Sequence, residues 1–236
     1  MSGDGSIITR RTALGFVAAG PALLATRVFA QALPVVRSPA LPSAADDELM
    51  RRARRALELH RDRIALRDRF VAIDYGLHSR EERLTIVDVV GGWRRSYRVA
   101  HGKGSDPEHS GLLQRFSNDH GSLATSAGTF VTGDIYDGKY GQSMRLLGLD
   151  PGNTNAEDRA IVLHCAPYVS AEHLATWGKL GRSDGCLVVD PLVQSEVLAL
   201  IGPRRMIYAD RIAGIWTGAA PARLEPRRLT PTPAAL

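Results

Sequence analysis

The chain of 236 residues has an ordinary globular composition, with 44% hydrophobic and 23% charged residues, enough apolar material for one sizeable core. It contains only two cysteines, which excludes a disulfide scaffold and a zinc ribbon built from paired Cys-x-x-Cys ligands. The net charge of +5 arises from basic residues scattered among 25 acidic ones, so we expect no nucleic-acid partner.

The first 32 residues have the three parts of an export signal. Arg10 and Arg11 form a twin arginine, an apolar stretch covers residues 13–25, and small residues suited to cleavage follow. The apolar stretch is shorter than the roughly 20 residues that a membrane-spanning helix needs, and Arg27 interrupts its far end. We therefore predict a twin-arginine export signal over 1–32, a periplasmic or other extracytoplasmic location and no permanent membrane anchor. A cytoplasmic protein with an apolar first helix is the alternative.

Residues 33–65 are predicted to form a linker followed by a surface helix. Pro, Ala and Ser dominate the first part. Apolar residues then recur at the helical period between Asp46 and Ile64, with Asp46 placed to cap the helix and arginines on its outer face. At the other end of the chain, residues 219–236 contain four prolines and little periodic apolar content, which predicts a Pro-rich tail.

The main domain, residues 66–218, begins with short strand-like runs. From Phe70 onwards the sequence contains three such runs, FVAIDY, RLTIVDVV and WRRSYRVA. Gly91-Gly92 between the last two indicates a hairpin. Further elements are expected along the chain: strands around 128–132, 142–149 and 160–164, and short helices after Ser170 and after Asp190-Pro191. With aromatic residues at only 6% and glycine frequent, this pattern predicts a mainly β fold with small helices, of the α+β class.

Two segments contain candidate catalytic residues. AIVLHCAPYVS, residues 160–170, is an apolar run that ends in His164, and GRSDGCLVVDP, residues 181–191, places Cys186 after Gly185. A thiol beside a glycine at the mouth of a strand can expose backbone amides to a substrate carbonyl, as an oxyanion hole requires. A nearby imidazole can activate the thiol and return a proton to a leaving amine. Residue types alone leave two interpretations open: such a catalytic pair, or an inert cysteine with a hydrogen-bonded core histidine.

The two segments resemble the murein L,D-transpeptidase (YkuD-like) family, in the branch whose signature reads approximately IVxHxAxYVS followed by GRSxGC. The matching strings here are IVLHCAPYVS and GRSDGC, and the similarity extends over roughly residues 70–208. The resemblance implies an L,D-transpeptidase-like mixed β-sandwich core, peptidoglycan stem peptides as the partner, and no cofactor. Zinc-ligand spacings such as HExxH are absent from the sequence, so no metal site is predicted.

The resemblance also implies roles for individual residues. Cys186 matches the family nucleophile, His164 the catalytic histidine, Gly185 the glycine of the oxyanion turn, and Ser183 the serine that opens the SxGC motif. A backbone carbonyl from Cys165 or a close neighbour is expected to orient the imidazole, in place of a third catalytic side chain.

The chain departs from the family pattern at two positions. Asp184 stands where most relatives outside this branch have histidine, and we expect it to face solvent, with orientation of His164 as the alternative. Cys165 stands where glycine is more common. Because side chains alternate along a strand, we expect Cys165 to point into the core, opposite His164, and both thiols to be free.

Four further residues are candidates for holding substrate. Arg182 matches the arginine of GRSxGC, and Arg182, Arg145 and Tyr168 are suited to binding the carboxylates of stem peptides. His101 lies in VAHGKGSD, which resembles a strand end near the family's cleft. Each of the four has a structural alternative, as an ion-pair, packing or turn residue.

The implied reaction is a two-step acyl transfer. Cys186 attacks the carbonyl of the L-centre residue in a donor tetrapeptide, a D-amino acid leaves with a proton from His164, and an acceptor amine takes the acyl group. Cross-linking of two stem peptides through their third residues, or D-amino-acid exchange, follows. The alternatives are an L,D-carboxypeptidase or amidase with the same residues, and a non-catalytic murein-binding module. The acceptor and the oligomeric state stay open.

Overall fold

A computed structural model describes residues 44–212 of the protein. The predicted export signal over 1–32 and the predicted Pro-rich tail over 219–236 lie outside the described residues. No helix within the described range is long and apolar enough to cross a membrane.

Strands dominate the structure, with three short or medium helices. The helices are α1 (Ala44–Leu59), α2 (Ala171–Trp177) and α3 (Gln194–Ile201). The strands are β1 (Arg69–Asp74), β2 (Leu84–Asp88), β3 (Arg94–Tyr97), β4 (Gly128–Gly138), β5 (Gly141–Gly148), β6 (Val162–Cys165), β7 (Leu187–Val189) and β8 (Met206–Asp210). This confirms the predicted mainly β fold with small helices.

All eight strands form one mixed sheet in the order β3-β2-β1-β8-β4-β5-β6-β7. The pairs β1–β8 and β6–β7 are parallel, and the other neighbours are antiparallel. The two ends of this sheet meet, because Ala100, just after β3, forms an antiparallel bridge with Val188 on β7. Tyr97 and Val99 from one end share a single apolar core with Leu187 from the other. The expected sandwich-like core therefore takes the form of one sheet closed around its interior.

The strand β8 was not predicted, although it lies at the centre of the sheet. Ile207 pairs with Val71 on β1 and with Phe130 on β4. Met206 and Ile207 are both 0% exposed and face two different apolar clusters. A strand buried on both faces shows no alternation of apolar and polar residues, so its sequence lacks the signal by which the other strands were recognised.

Helix α1 packs on the sheet as a surface helix, as predicted. Its buried residues form one cluster with the outer side of the sheet: Leu49, Met50, Ala53, Ala56 and Leu57 against Phe70, Ala72, Val87 and Met206. The helix begins at Ala44, two residues before the predicted cap Asp46. His60, directly after the helix, places Nε2 2.7 Å from Asp150 Oδ1 and joins the end of α1 to the segment after β5.

A buried polar network anchors the segment that follows β3. The guanidinium of Arg83, 1% exposed, donates from Nε to Val99 O at 2.9 Å and from Nη2 to His101 Nδ1 at 2.8 Å. Because arginine only donates, His101 Nδ1 must accept, and the ring proton sits on Nε2, which lies 3.3 Å from Asp106 Oδ2. The network therefore requires a neutral His101.

The same network fixes the charge states of its members. Burial lowers the pKa of His101 to about 4 and the pKa of Arg83 to about 10. Burial alone would raise the pKa of Asp106, but hydrogen bonds from His101, Ser110 and Gly111 hold it well below the usual range. At neutral pH the cluster thus combines a charged arginine, a neutral histidine and a charged aspartate.

Acid should destabilise the protein through His101. Its folded pKa lies below its unfolded value, so its contribution is fully present above about pH 6.5 and is lost as the pH falls towards 4, by about 3 kcal/mol. We expect His101→Gln, which can still accept from Arg83 and donate to Asp106, to remove this part of the pH dependence. Urea unfolding at several pH values compares the two proteins, and NMR of the imidazole nitrogens should show a neutral ring down to nearly pH 4. Parallel unfolding curves, or a ring that titrates near pH 6.5, would contradict this account.

Candidate active site

Residues 183–186 form a tight turn immediately before β7. The Ser183 hydroxyl accepts a hydrogen bond from the Gly185 amide at 3.1 Å and donates one to Cys186 O at 2.7 Å. Gly185 has φ +121°, and a Cβ at this position would approach Ala124 O to 2.9 Å. The two hydrogen bonds of the Ser183 hydroxyl thus hold the turn together. Glycine at position 185 permits both the backbone conformation of the turn and its close packing.

The parallel pairing of β6 and β7 brings the predicted nucleophile and base to one face of the sheet. His164 is in register with Val188, and Leu163 with Leu187. Paired residues on neighbouring strands point to the same face, and side chains alternate along each strand. Leu163 and Leu187 face the main core. Cys186, two residues before Val188, therefore lies on the same face as His164, and it packs with Val188 in a small separate cluster.

The imidazole of His164 is held by two contacts. Its Nδ1 lies 2.8 Å from Cys165 O, which is the type of backbone contact expected from the sequence. A carbonyl oxygen only accepts, so Nδ1 carries the proton and the neutral ring keeps a lone pair on Nε2. The ring stacks on Tyr140, with centroids 4.5 Å apart. Burial lowers the pKa of His164, which the hydrogen bond to Cys165 O partly offsets.

The thiol of Cys186 points to a backbone carbonyl in this structure. Its Sγ lies 3.6 Å from Ala160 O, and within residues 44–212 no hydrogen bond joins Cys186 to His164. Burial raises the pKa of Cys186, as does the charge of Asp184, while a hydrogen bond from the Val162 backbone and the charge of Arg159 lower it. The resting pair is therefore a neutral thiol beside a neutral imidazole, and the thiol must turn away from Ala160 O before His164 can take its proton.

The two departures from the family pattern have clear positions. Asp184 is exposed, as expected, and its carboxylate pairs with Lys103 Nζ at 2.8 Å. Cys165 packs against the main core, on the face opposite His164, but is half-exposed. Its Sγ lies 3.8 Å from Tyr140 O. The expected orientation of Cys165 towards the core is thus confirmed, although the side chain is only partly buried because β6 ends there, and the expectation of two free thiols is met.

Two of the predicted substrate-binding residues border the site. Arg145 on β5 is exposed and pairs with Val162, so its side chain leaves the sheet on the same face as His164. Tyr168, in the 3₁₀ turn Pro167–Val169, is half-buried and packs in the same cluster as Cys186. Burial and then the charge of Cys186 raise the pKa of Tyr168. A substrate contact of either side chain stays a prediction.

The other two candidates have structural contacts. His101 is 1% exposed and uses both ring nitrogens in the buried network, so its predicted substrate contact is corrected. Arg182 donates from Nη1 to the backbone carbonyls of Asp106 and Pro107, to the latter at 3.1 Å. It braces the loop after the 3₁₀ turn Lys103–Ser105. A substrate contact of Arg182 stays a prediction.

Two residues near the site were not singled out from the sequence. Tyr140 lies at the tip of the β4–β5 hairpin, where its ring covers one face of the His164 imidazole. Arg159 lies in the loop before β6, with its guanidinium behind the cysteine turn. Neither belongs to a motif, and only the pairing of distant segments brings them to the site. Among the residues that the structure describes, no group of three or more His, Cys, Asp or Glu is placed to hold a metal ion.

Comparisons with known proteins point to one family. A sequence profile described as the L,D-transpeptidase catalytic domain matches residues 42–209. An L,D-transpeptidase from Mycobacterium smegmatis is 14% identical, with TM-score 0.37 over 61% of this chain and 58% of that chain. The L,D-transpeptidase LdtMt1 in complex with imipenem is 14% identical, with TM-score 0.33 over 54% of this chain and 53% of that one. The chain thus spans less than two thirds of either structure. No curated protein sequence matches it.

Substitution of Gly185 should destabilise the protein more than substitution of another glycine with a positive φ. Gly185→Ala combines a positive φ with a clash against Ala124 O, at a cost on the order of 3 kcal/mol. Gly92 has φ +68° and no atom within 4 Å of the position that a Cβ would take, so it is the matched control, and Gly92→Ala should cost about 1 kcal/mol. Free energies of unfolding from urea titration test this difference. Equal losses for the two variants would show that the turn is not tightly packed.

Proposed function

The chain belongs to the L,D-transpeptidase catalytic domain family, and from this premise we propose that it is a cysteine acyltransferase acting on peptidoglycan stem peptides. The observation that carries the proposal is the placement of Cys186 and His164 on one face of two paired parallel strands, with the lone pair on His164 Nε2. Peptidoglycan lies outside the cytoplasmic membrane, so the proposal requires export, for which the twin-arginine segment within residues 1–32 is suited.

In the first step the Cys186 thiol transfers its proton to His164 Nε2, and Sγ forms a bond to the carbonyl carbon of the L-centre residue of the donor. Collapse of the tetrahedral intermediate breaks the amide C–N bond. The leaving D-amino acid takes the proton from His164, and an acyl thioester stays on Cys186. The hydrogen bond from Nδ1 to Cys165 O keeps the ring in the orientation and tautomer that this exchange needs.

Backbone amides of the cysteine turn are suited to stabilise the oxyanion. The Gly185 amide is already donated to the Ser183 hydroxyl, so we assign the main role to the amide of Cys186 itself. Gly185 and Ser183 then serve by shaping the turn that presents this amide and the thiol. This division of roles refines the sequence prediction, in which all three residues counted as catalytic.

In the second step an acceptor amine attacks the thioester. His164 Nε2 takes a proton from the attacking nitrogen and returns it to Sγ, which restores the neutral thiol and imidazole. Collapse of this second tetrahedral intermediate breaks the C–S bond, and the new amide bond links the acyl group to the acceptor. We propose that the exposed guanidinium of Arg145 and the side chain of Tyr168 hold the carboxylate-bearing stem peptides beside Cys186, because a guanidinium matches a carboxylate in geometry and charge.

Loss of the thiol should abolish turnover without unfolding the protein. Cys186→Ala removes the proposed nucleophile, on which the thioester forms, while its side chain belongs to a small peripheral cluster. The mature protein is incubated with purified muropeptides, and mass spectrometry reads cross-linked dimers, exchanged stems and shortened stems. Cys165→Ala is the matched control and should retain activity. Retained activity in Cys186→Ala contradicts the proposal, and shortened stems alone in the wild type would make the protein a hydrolase.

Loss of the imidazole should lower turnover by about two to four orders of magnitude, since both proton transfers go through Nε2. His164→Gln keeps a side chain of similar size that cannot take the proton. His120→Gln, on an exposed loop, is the matched control and should behave as the wild type in the same muropeptide assay. Near-wild-type turnover in His164→Gln would assign the base to another residue.

A further inference from the structure

The backbone of residues 122–124 packs directly on the cysteine turn. Three glycines make this approach possible, because a Cβ on Gly102 or Gly104 would overlap the carbonyls of residues 123 and 122, and a Cβ on Gly185 would come within 2.9 Å of Ala124 O. A movement of residues 122–124 would therefore displace Gly185 and, with it, the adjacent Cys186.

One arginine holds both ends of the loop that contains these residues. Nη1 of Arg159 donates to Ser117 O at 2.8 Å and to Ser126 Oγ at 2.7 Å. Its Nη2 donates to Ser122 Oγ at 3.2 Å and to Ala124 O at 2.5 Å. Four hydrogen bonds from a single planar group fix the loop over residues 117–126 as a unit, as the fork of donors on a guanidinium allows.

The guanidinium of Arg159 also lies next to Gly185 in the cysteine turn. A Cβ built on Gly185 would be 3.3 Å from Arg159 Nη2, so the charge of Arg159 faces the residue that precedes the nucleophile. The next residue, Ala160, has φ +52°, a left-handed conformation that is rare for alanine. Its carbonyl accepts the Cys186 thiol. Residues 159 and 160 therefore both approach the cysteine turn, Arg159 through its guanidinium at Gly185 and Ala160 through its carbonyl at the Cys186 thiol.

We propose that Arg159 is a positioning residue of the cysteine site, which clamps the loop 117–126 against the Gly185–Cys186 turn and places a fixed positive charge behind it. The inference rests on the proposed function only in taking Cys186 as the reactive group. Asp184, beside the same thiol, brings a negative charge that disfavours the thiolate. Burial raises the pKa of Cys186 and Asp184 adds to this rise, which the positive charge of Arg159 partly offsets. Burial lowers the pKa of Arg159, and the charges of Asp119 and of a Cys186 thiolate partly offset that.

The test is the pH profile of Cys186 alkylation by iodoacetamide, because only the thiolate reacts and no peptide substrate is needed. All proteins carry Cys165→Ala, so that one thiol is followed. Arg159→Gln keeps hydrogen-bond donors but removes the charge, and Arg159→Lys keeps the charge. We expect Arg159→Gln to raise the apparent pKa and slow alkylation at neutral pH by roughly threefold or more, and Arg159→Lys to recover most of the loss.

Two further variants make the result decisive. Arg52 is exposed on α1 and donates to Asp210 Oδ2 at 2.9 Å, so Arg52→Gln removes a charge and a side-chain contact away from the clamped loop and should leave the alkylation profile unchanged. Ser126→Ala removes the hydroxyl that accepts from Arg159 and donates to Ser117 O, and it should shift the profile in the same direction as Arg159→Gln, by less. It keeps the test open if Arg159→Gln does not fold.

Each outcome distinguishes this inference from the proposed function. An alkylation profile that is unchanged in Arg159→Gln and Ser126→Ala, even with lowered stability, overturns the positioning role and leaves transpeptidation untouched. An alkylation profile that depends on Arg159, in a protein without activity on muropeptides, supports the positioning role and contradicts the proposed function instead.

Discussion

The site depends on the parallel register of β6 with β7. This pairing places His164 beside Val188 and so sets Cys186 and His164 on one face, with the core-facing leucines of both strands on the other. Because side chains alternate, a slip of one residue would turn one of the two reactive groups into the core. Leu163 and Leu187 are both 0% exposed, and their burial in the core fixes the register of the two strands. This register in turn fixes the positions of Cys186 and His164 on the opposite face.

Two neighbouring segments hold the turn that contains Cys186 in place. The neutral His101 in its buried network anchors the segment after β3, and the Lys103 amide of that segment donates to Ser183 O at 2.8 Å. On the other side, the loop 117–126 closes against Gly185. Together they leave the thiol little freedom except rotation about its own side-chain bond. In the resting state the Cys186 thiol points to Ala160 O. A substrate that displaces this hydrogen bond leaves the thiol free to turn and give its proton to His164.

Sequence patterns predicted the parts of the structure that local chemistry determines. The hairpin at Gly91-Gly92 and the helix after Ser170, whose hydroxyl accepts from the His173 amide, follow from nearby residues. The contact between His164 and Cys165 O was implied by the family resemblance instead. The central strand β8, the stacking of Tyr140 and the role of Arg159 depend on segments far apart in the chain, and no local pattern marks them. His101 was misassigned because a motif position shows that a residue is near the site, but not whether its side chain is exposed.

The most direct test of the account is capture of the covalent intermediate. The mature protein is mixed with a donor tetrapeptide without an acceptor amine, quenched in acid to preserve thioesters, digested and mapped by mass spectrometry. The account predicts that the peptide containing Cys186 gains the mass of the acyl group that is left after loss of the terminal D-amino acid. Release of the D-amino acid with no adduct on any cysteine, or an adduct on Cys165, would contradict it.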